Sequence, residues 1–226
     1  MNQDTRQTDV VVDGVVSAIS NERLRPFVLA TEDMALAIDL YGANLKLSQD
    51  VYALTGGLEV ALRNAIIGRL KRYLGREDWY RSRAFMVNLS RSRRLNLKSA
   101  RQRLKQEGKV EKSGAVIAGL TFHFWVALHE SKYRDTLWTP MLRHIWPKGE
   151  NLRRVHRDLF LVRDLRNRVA HYEPIFSLKW LRAIEVLKAR FDKLAPEKAL
   201  WFDELVGASI ERELWTIRSL LKNPQN

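Results

Sequence analysis

The chain has 226 residues, with 39 Lys and Arg against 26 Asp and Glu, and so a formal net charge of +13 at pH 7. Hydrophobic residues make up 46% of it, which is enough for a packed core and excludes a disordered chain. It contains no cysteine, which excludes disulfides, thiolate nucleophiles and cysteine zinc sites. The excess positive charge favours a polyanionic partner such as RNA, DNA or an acidic protein.

The first 20 residues are mostly polar, and their apolar run from Val10 to Val12 is interrupted by Asp13. We therefore expect a flexible N-terminal segment over 1–20 and no signal peptide. Nowhere do about 18 apolar residues follow one another without a charge, so we also expect no insertion into a membrane. Together with the lack of cysteine, these features predict a cytoplasmic protein.

From residue 21 onward, apolar residues recur at helical spacing, and no stretch alternates with a period of two. This pattern predicts an all-α protein with a single domain over 21–226. Thr31 is predicted to cap a helix that runs to about Asn44. Ser48 is predicted to cap a second helix that reaches about Leu74.

The second half of the chain contains further predicted helices. Residues 113–128 are densely apolar and predict one central core helix. Asn151 is predicted to cap a long helix that ends before Pro174. Ser177 can cap the next helix, and a C-terminal extension over about 195–226 is predicted to hold two shorter helices. The buried stripe predicted for the long helix comprises Leu152, Val155, Leu159, Val162, Leu165 and Val169.

Residues 76–112 form a basic insert, with 12 basic and 4 acidic residues and a net charge of +8. Such a run is typical either of a solvated helix face or of a surface that binds phosphates. We take RNA contact as the working hypothesis because phosphates would relieve the repulsion between these like charges. The candidate RNA-binding residues are Arg91, Arg93, Arg94, Arg101 and Arg103.

The end of the long helix combines an imidazole, an amide and a guanidinium. At about 100° per residue, Arg163, Asn167 and His171 share one stripe, and Arg166 is long enough to lean towards it. Such a set suits phosphodiester cleavage, since the imidazole can move protons near neutral pH and the guanidinium can neutralise a charged phosphate. The spacing also fits a structural role, in which His171 interacts with the helix dipole and the arginines pair with nearby carboxylates.

The segment from Leu165 to Ile175, LRNRVAHYEPI, resembles the C-terminal signature of the Abi-like (abortive infection) proteins, a branch of the HEPN superfamily. That signature is an Arg, a polar residue, three others and a His. The resemblance covers roughly residues 21–180 and departs from the family at Gly42, where an aromatic is expected, and at Tyr172, where a second His is frequent. The other similar blocks, in the expected order, are 35–48, 58–66, 122–125 and 137–138.

The resemblance implies an α-helical HEPN-like bundle with extra C-terminal helices. Active members are metal-independent endoribonucleases without cofactors, acting as toxins in phage defence or in toxin–antitoxin systems. They pair as homodimers that bring two Arg-His motifs into one cleft, and their partners are RNA and an RNA or protein antitoxin. By this resemblance His171 acts as general base or acid, Arg166 stabilises the transition state, Asn167 orients the phosphate or the imidazole, and Tyr172 contacts RNA.

Glu59, Arg63 and Asn64 belong to the second similar block and are predicted supporting residues of the same site. Glu59 and Arg63 also have the four-residue spacing of an ordinary stabilising helix pair. The histidines and carboxylates show no metal-binding motif, so we expect no metal site. An alternative function is a non-catalytic RNA-binding or protein-interaction module that keeps the helical scaffold and the basic surface. DNA binding is a third interpretation, although no helix-turn-helix signature accompanies it.

Overall fold

The computed structural model describes residue 14 and residues 16–221, and every regular element in that part of the chain is helical. The all-α prediction is confirmed. The predicted flexible segment over 1–20 lies mostly outside the described residues, while 16–19 within it are helical. No described helix combines the length and the apolar character needed to cross a bilayer. In chain order the helices are α1 (Asn21–Thr31), α2 (Met34–Leu74), α3 (Arg83–Met86), α4 (Arg91–Gln106), α5 (Ser113–Ala118), α6 (Phe122–Ala127), α7 (Leu152–Ala170), α8 (Leu178–Leu194) and α9 (Pro196–Leu220).

The chain divides into two compact units, each assembled from separate stretches of sequence. The first unit consists of residues 1–55, 164–185 and 200–226, and the second of residues 56–163 and 186–199. Short 3-10 turns at Trp79–Arg81, Ser131–Tyr133 and Leu142–Ile145 and a π turn at Arg134–Trp138 belong to the second unit. That both units fold together as the single predicted domain stays a prediction.

The first unit has an aromatic cluster near its N-terminal helix. Phe27 on α1 lies edge-on to Tyr41 on α2, with 5.2 Å between ring centroids, and 5.4 Å from the ring of Phe176. Burying large aromatic rings in this way contributes more to the free energy of folding than most single contacts. Fully buried aliphatic residues of the same unit are Leu24, Leu40, Leu47, Leu165, Ile175, Ile210 and Ile217.

The second unit is built around Trp79, whose ring centroid lies 5.6 Å from that of Phe85 and 6.0 Å from that of Trp125. Phe122 and Trp125 are both buried, as the sequence predicts for core residues. The prediction of a single helix over 113–128 is wrong, because this stretch forms the two helices α5 and α6.

Gly119 lies at the break between α5 and α6, where the chain passes close to α4. A Cβ atom built on Gly119 would lie 3.0 Å from the Cβ of Ala100 on α4, closer than about nine in ten real Cβ contacts. Glycine therefore allows the chain to pass close to α4 while it leaves the helix. The apolar density of the segment could not reveal this break.

Two predicted helix breaks are absent. α2 runs unbroken through the stretch between Asn44 and Ser48, where no helix breaker occurs and Leu47 is buried. Thr31 ends α1 rather than capping α2, whose first turn is capped by Asp33, since its Oδ1 accepts a hydrogen bond from the backbone N–H of Leu36 at 2.8 Å. The two predicted C-terminal helices form the single helix α9.

The long helix α7 forms as predicted. Asn151 Oδ1 accepts a hydrogen bond from the backbone N–H of Arg153 at 2.8 Å, which caps the helix, and α7 ends before Pro174. α8 begins directly after Ser177, and Pro196 is the first residue of α9. The predicted stripe is buried at each of its positions, Leu152, Val155, Leu159, Val162, Leu165 and Val169.

A buried ion-pair network links three elements of the second unit. Arg190 donates to Asp158 Oδ2 at 2.7 and 3.0 Å and to Glu150 Oε2 at 2.6 Å. The guanidinium and both carboxylates are almost fully buried, so each charge depends on its partners. Lys193 adds a second bond to Glu150 from a more exposed position.

His129 is a fully buried histidine of the same unit. Trp146 Nε1 can only donate, so it donates to His129 Nε2 at 3.3 Å, and the ring proton must lie on Nδ1, which faces the carbonyl of Trp125 at 3.2 Å. Burial lowers the pKa of His129 to about 4, because desolvation disfavours the imidazolium. His129 is therefore neutral in the folded protein at neutral pH.

Candidate active site

The candidate active site lies in the first unit, where α7 ends. Arg166 and Asn167 belong to the last turn of α7, and His171 is the first residue beyond the helix. Asn167 and His171 are exposed, while Arg166 is half-buried. The end of the helix therefore presents an imidazole and an amide to solvent, and the same helix carries the half-buried guanidinium of Arg166.

The turn after α7 is a Schellman motif with tyrosine at the position that glycine usually occupies. The backbone N–H of Tyr172 donates to the carbonyl of Val169 at 3.1 Å, and that of Glu173 donates to the carbonyl of Arg168 at 3.0 Å. Tyr172 takes a left-handed conformation, with φ of 54°. Such a conformation costs an L-residue about 1–2 kcal/mol.

Two residues from the N-terminal helices hold the backbone of this turn. Arg23 Nη1 donates to the carbonyl oxygen of His171 at 3.1 Å and to that of Tyr172 at 3.3 Å. Asn44, which is fully buried, accepts a hydrogen bond from the backbone N–H of Ile175. These contacts fix the backbone that carries the imidazole.

Arg168 holds the turn from its other side. Its Nε donates to the carbonyl oxygen of Pro174 at 2.6 Å, and its Nη1 lies 2.8 Å from a carboxylate oxygen of Glu173. The same guanidinium lies over the ring of Trp180, 5.1 Å from its centroid. Arg168 therefore acts in the structure as a support for the loop.

Arg166 faces an aromatic residue on α2. Its Cζ atom lies 5.5 Å from the ring centroid of Tyr52, which is 47% exposed. Tyr52 borders a groove of about 240 Å³ between α2 and the end of α7. We call this feature the tyrosine groove; its lining residues are Ser48, Gln49, Tyr52, Val169, Ala170 and Tyr172.

The tyrosine groove contains residues that sequence reasoning does not find. The sequence predicts Ser48 only as a helix cap, and it gives Gln49 and Tyr52 no role. Asn44 lies inside the block over 35–48 that resembles the HEPN proteins, so this resemblance is the sequence feature that could have indicated a functional role for this stretch of α2. Only the packing of α2 beside the end of α7 identifies the residues that line the groove.

The other predicted site residues belong to the second unit. Glu59, Arg63 and Asn64 lie on the part of α2 that this unit contains, and the buried Nε of Arg63 has no hydrogen-bond partner among the described residues. Their supporting role stays a prediction. Arg163, predicted to share a stripe with Asn167 and His171, packs on Phe160, with its Cζ 3.6 Å from the ring centroid.

The basic insert contains one arginine that does not belong to its exposed face. Arg93 is only 9% exposed and occupies the buried stripe of α4 together with Leu97, Ala100 and Leu104. Its Nη2 lies 3.2 Å from His123 Nε2. The prediction that Arg93 belongs to an RNA-binding surface therefore conflicts with its burial.

The other four predicted RNA-binding residues lie nearer the surface of α4. Arg91, Arg94 and Arg103 are exposed, and Arg101 is half-buried. Arg101 Nε donates to Glu111 at 2.8 Å, and Arg103 Nη2 donates to the carbonyl of Gly119 at 2.6 Å, so part of their donor capacity is used within the protein. A shallow cavity of about 390 Å³ on this face is lined by Met86, Arg91, Arg94, Leu95, Leu97, Lys98 and Arg101.

The chemistry available at the end of α7 comes from its side chains. An imidazole can take up or release a proton near neutral pH, and a guanidinium carries a permanent charge with five donors. Within the described residues, no group of three or more histidines and carboxylates is arranged to hold a metal ion. No family model, curated protein or solved structure matches the chain.

Proposed function

We propose that the protein is a metal-independent endoribonuclease of the Abi-like HEPN type, with a HEPN-like helical bundle. The observation that supports this proposal is the end of α7, where exposed His171 follows the helix that carries Arg166 and Asn167. The turn that carries His171 is held by Arg23 and Asn44. An imidazole on a held turn, at the end of the helix that carries a guanidinium, supplies the groups that proton transfer and charge neutralisation at a phosphodiester use.

The proposed reaction uses the ribose itself as nucleophile. A general base removes the proton of the 2′-hydroxyl group, and the 2′-oxygen bonds to the adjacent phosphorus. The bond from phosphorus to the 5′-oxygen breaks, and this oxygen takes up a proton from a general acid. The products are a 2′,3′-cyclic phosphate and a 5′-hydroxyl end. Arg166 neutralises the charge that develops on the phosphoryl oxygens, and Asn167 orients the phosphate or the imidazole.

The need for both a base and an acid favours a homodimer. One chain supplies one Arg-His motif, so a second copy would bring the second imidazole into the same cleft. Biologically, we propose a toxin that cleaves cellular or viral RNA in phage defence or in a toxin–antitoxin pair, with an RNA or a protein as the antitoxin. The resemblance of the Leu165 to Ile175 segment supports this assignment.

The test is incubation of the purified protein with mixed cellular RNA in the presence of EDTA. We expect fragments with 2′,3′-cyclic phosphate ends from the parent protein and a loss of about 10²- to 10⁴-fold in rate for His171→Ala, since acid–base catalysis contributes that much. His144→Ala is the matched control, because His144 is an exposed histidine of the second unit. Equal cleavage by the parent and by His171→Ala would refute the proposal.

The alternative is a non-catalytic RNA-binding module. The observation that favours it is the basic face of α4, where Arg91, Arg94 and Lys98 border one shallow cavity. This alternative predicts salt-sensitive RNA binding without cleavage, and no dependence on His171. Intact RNA in the EDTA experiment, together with binding that disappears when the α4 arginines are neutralised, would support it.

A further inference from the structure

The tyrosine groove adjoins the end of α7 that carries Arg166 and His171. We infer that it binds one unpaired base of a single-stranded RNA, next to the phosphate that is cleaved. This inference rests on the proposed function, because it names the part of the RNA that the same site holds. It is carried by the two tyrosines, by Arg166 and by Gln49 of α2.

Tyr172 has a strained backbone conformation, and its packing in the protein does not compensate for that strain. Its φ of 54° lies in the left-handed region, where glycine would be free of strain. The side chain is 55% exposed, so burial does not offset this cost. A strained and exposed aromatic residue that lines a groove points to contact with a ligand. Base stacking is the contact that an exposed phenol ring best supplies to RNA.

Tyr52 provides a second aromatic surface to the same groove. It is also exposed, and its ring lies beneath the Arg166 guanidinium. A base stacked in the groove would therefore have a fixed positive charge close to its own phosphate. The pairing of aromatic rings with a cation is typical of grooves that bind single-stranded nucleic acids.

The wall of the groove contributes one accessible polar side chain from α2. Ser48 also lines the groove, but it is only 2% exposed and its Oγ is buried, so a base in the groove does not reach that oxygen. Gln49 lies beside Ser48 with an amide that both donates and accepts.

The size of the groove restricts its occupant. Its volume of about 240 Å³ is below the roughly 300–1,000 Å³ of typical small-molecule pockets, which suits a single ring system. In an RNA duplex the bases are stacked and paired, so a base can enter only from a single strand, a loop or an end. The substrate class is therefore RNA with an unpaired base at the cleavage site.

The experiment measures binding in a background that cannot cleave, so that it does not depend on catalysis. The probe is a fluorescein-labelled single-stranded RNA of about 12 nucleotides, compared with the same sequence as a duplex. The proteins are His171→Ala alone and His171→Ala combined with Tyr172→Gly or with Tyr52→Leu. Tyr73→Leu is the matched control, because Tyr73 is similarly exposed on α2 but does not line the groove.

We expect the His171→Ala protein to prefer the single strand. Tyr172→Gly and Tyr52→Leu should each weaken its binding by about 5- to 150-fold, which corresponds to the stacking of one base, and Tyr73→Leu should not. Tyr172→Gly relieves the backbone strain, so its weaker binding could not be attributed to unfolding. Unchanged affinity in both tyrosine variants, or equal binding of duplex and single strand, would overturn the inference.

The two proposals can fail separately. If the parent protein cleaves RNA but the tyrosine variants bind normally, the inference about the groove is wrong and the nuclease stands. If the tyrosine variants no longer bind but the parent protein cleaves nothing in EDTA, the base-binding groove stands and the catalytic proposal is wrong.

Discussion

Asn44 on α2 and Ile175 beyond α7 are joined by a hydrogen bond of 2.8 Å, from the backbone N–H of Ile175 to the side-chain oxygen of Asn44. The amide nitrogen of Asn44 donates in turn to the carbonyl oxygen of Glu173 at 3.4 Å. The side chain of Asn44 therefore provides the hydrogen-bond partners of the backbone groups on both sides of Pro174. Because this loop follows His171, the placement of the imidazole depends on a residue more than a hundred positions earlier.

We expect Asn44→Ala to destabilise the protein by about 1–3 kcal/mol, since the buried N–H of Ile175 and the part-buried carbonyl of Glu173 lose their partner. Cleavage of RNA should fall at temperatures where the variant is still folded, because the loop after His171 is released. Urea unfolding and the EDTA cleavage rate are the two measurements. Asn96→Ala, at an exposed position of α4, is the control; it should leave the cleavage rate unchanged and should not lower stability, since alanine is the better helix former.

We expect Arg190→Ala to be among the most damaging substitutions, with a loss of about 3–5 kcal/mol in the free energy of unfolding. It would leave the buried carboxylates of Asp158 and Glu150 without their main partner. Arg157→Ala removes an arginine that also contacts Asp158, at 3.0 Å, but is largely exposed, and should cost less than about 1 kcal/mol. Similar losses in the two variants, measured by urea unfolding, would contradict this interpretation.

The stability of the protein should depend on His129 below neutral pH. Its pKa of about 4 in the folded protein lies below the value near 6.5 of an exposed histidine. Between these values the unfolded chain binds the extra proton, so this contribution to stability is complete above about pH 6.5 and falls as the pH drops towards 4. We expect His129 to account for about 2 kcal/mol of the loss between pH 7 and pH 5.

The measurement is the difference in unfolding free energy between pH 7 and pH 5, for the parent and for His129→Gln. Glutamine keeps a donor and an acceptor but has no titrating ring, so its pH-dependent loss should be smaller than that of the parent. Burial also lowers the pKa of His156, and this contribution is common to both proteins. Equal losses in the two proteins would show that His129 is not protonated on unfolding.

Tyr172→Gly should make the protein more stable by about 0.5–1 kcal/mol. Glycine removes the strain of the left-handed conformation, which stabilises the folded protein. The greater entropy of the unfolded chain with glycine offsets part of this stabilisation. Tyr73→Gly is the control, because Tyr73 is helical and glycine there should cost up to about 1 kcal/mol. Thermal unfolding of both variants checks the opposite signs, and a loss of stability in Tyr172→Gly would mean that the ring makes stabilising contacts.

The basic face of α4 predicts a salt dependence of RNA binding. We expect the combined Arg91→Gln and Arg94→Gln protein to have a shallower dependence of log affinity on log salt concentration, by about 0.7 for each phosphate that is no longer neutralised. Arg153→Gln with Arg154→Gln is the matched control, since both are exposed arginines at the start of α7. An unchanged slope in the α4 variant would exclude this face as an RNA-binding surface.

Local sequence chemistry was sufficient where a helix end depends on a residue next to it. Asn151 caps α7, Pro174 stops the helix from continuing, and Pro196 begins α9, because capping and proline geometry act within one turn. The buried stripe of α7 was equally predictable, since its period is that of the helix itself. The motif from Arg166 to His171 was found by its resemblance to the Abi-like proteins and not by its period, and its role stays a prediction.

The tertiary structure decided the features that depend on residues distant in the chain. Gly119 passes close to Ala100 at the break between α5 and α6, and the buried Arg93 lies against His123. The tyrosine groove exists only because the stretch of α2 around Tyr52 packs beside the end of α7. Periodicity specifies which face of a helix is buried, but not which other helix covers it, and long-range packing supplies that information.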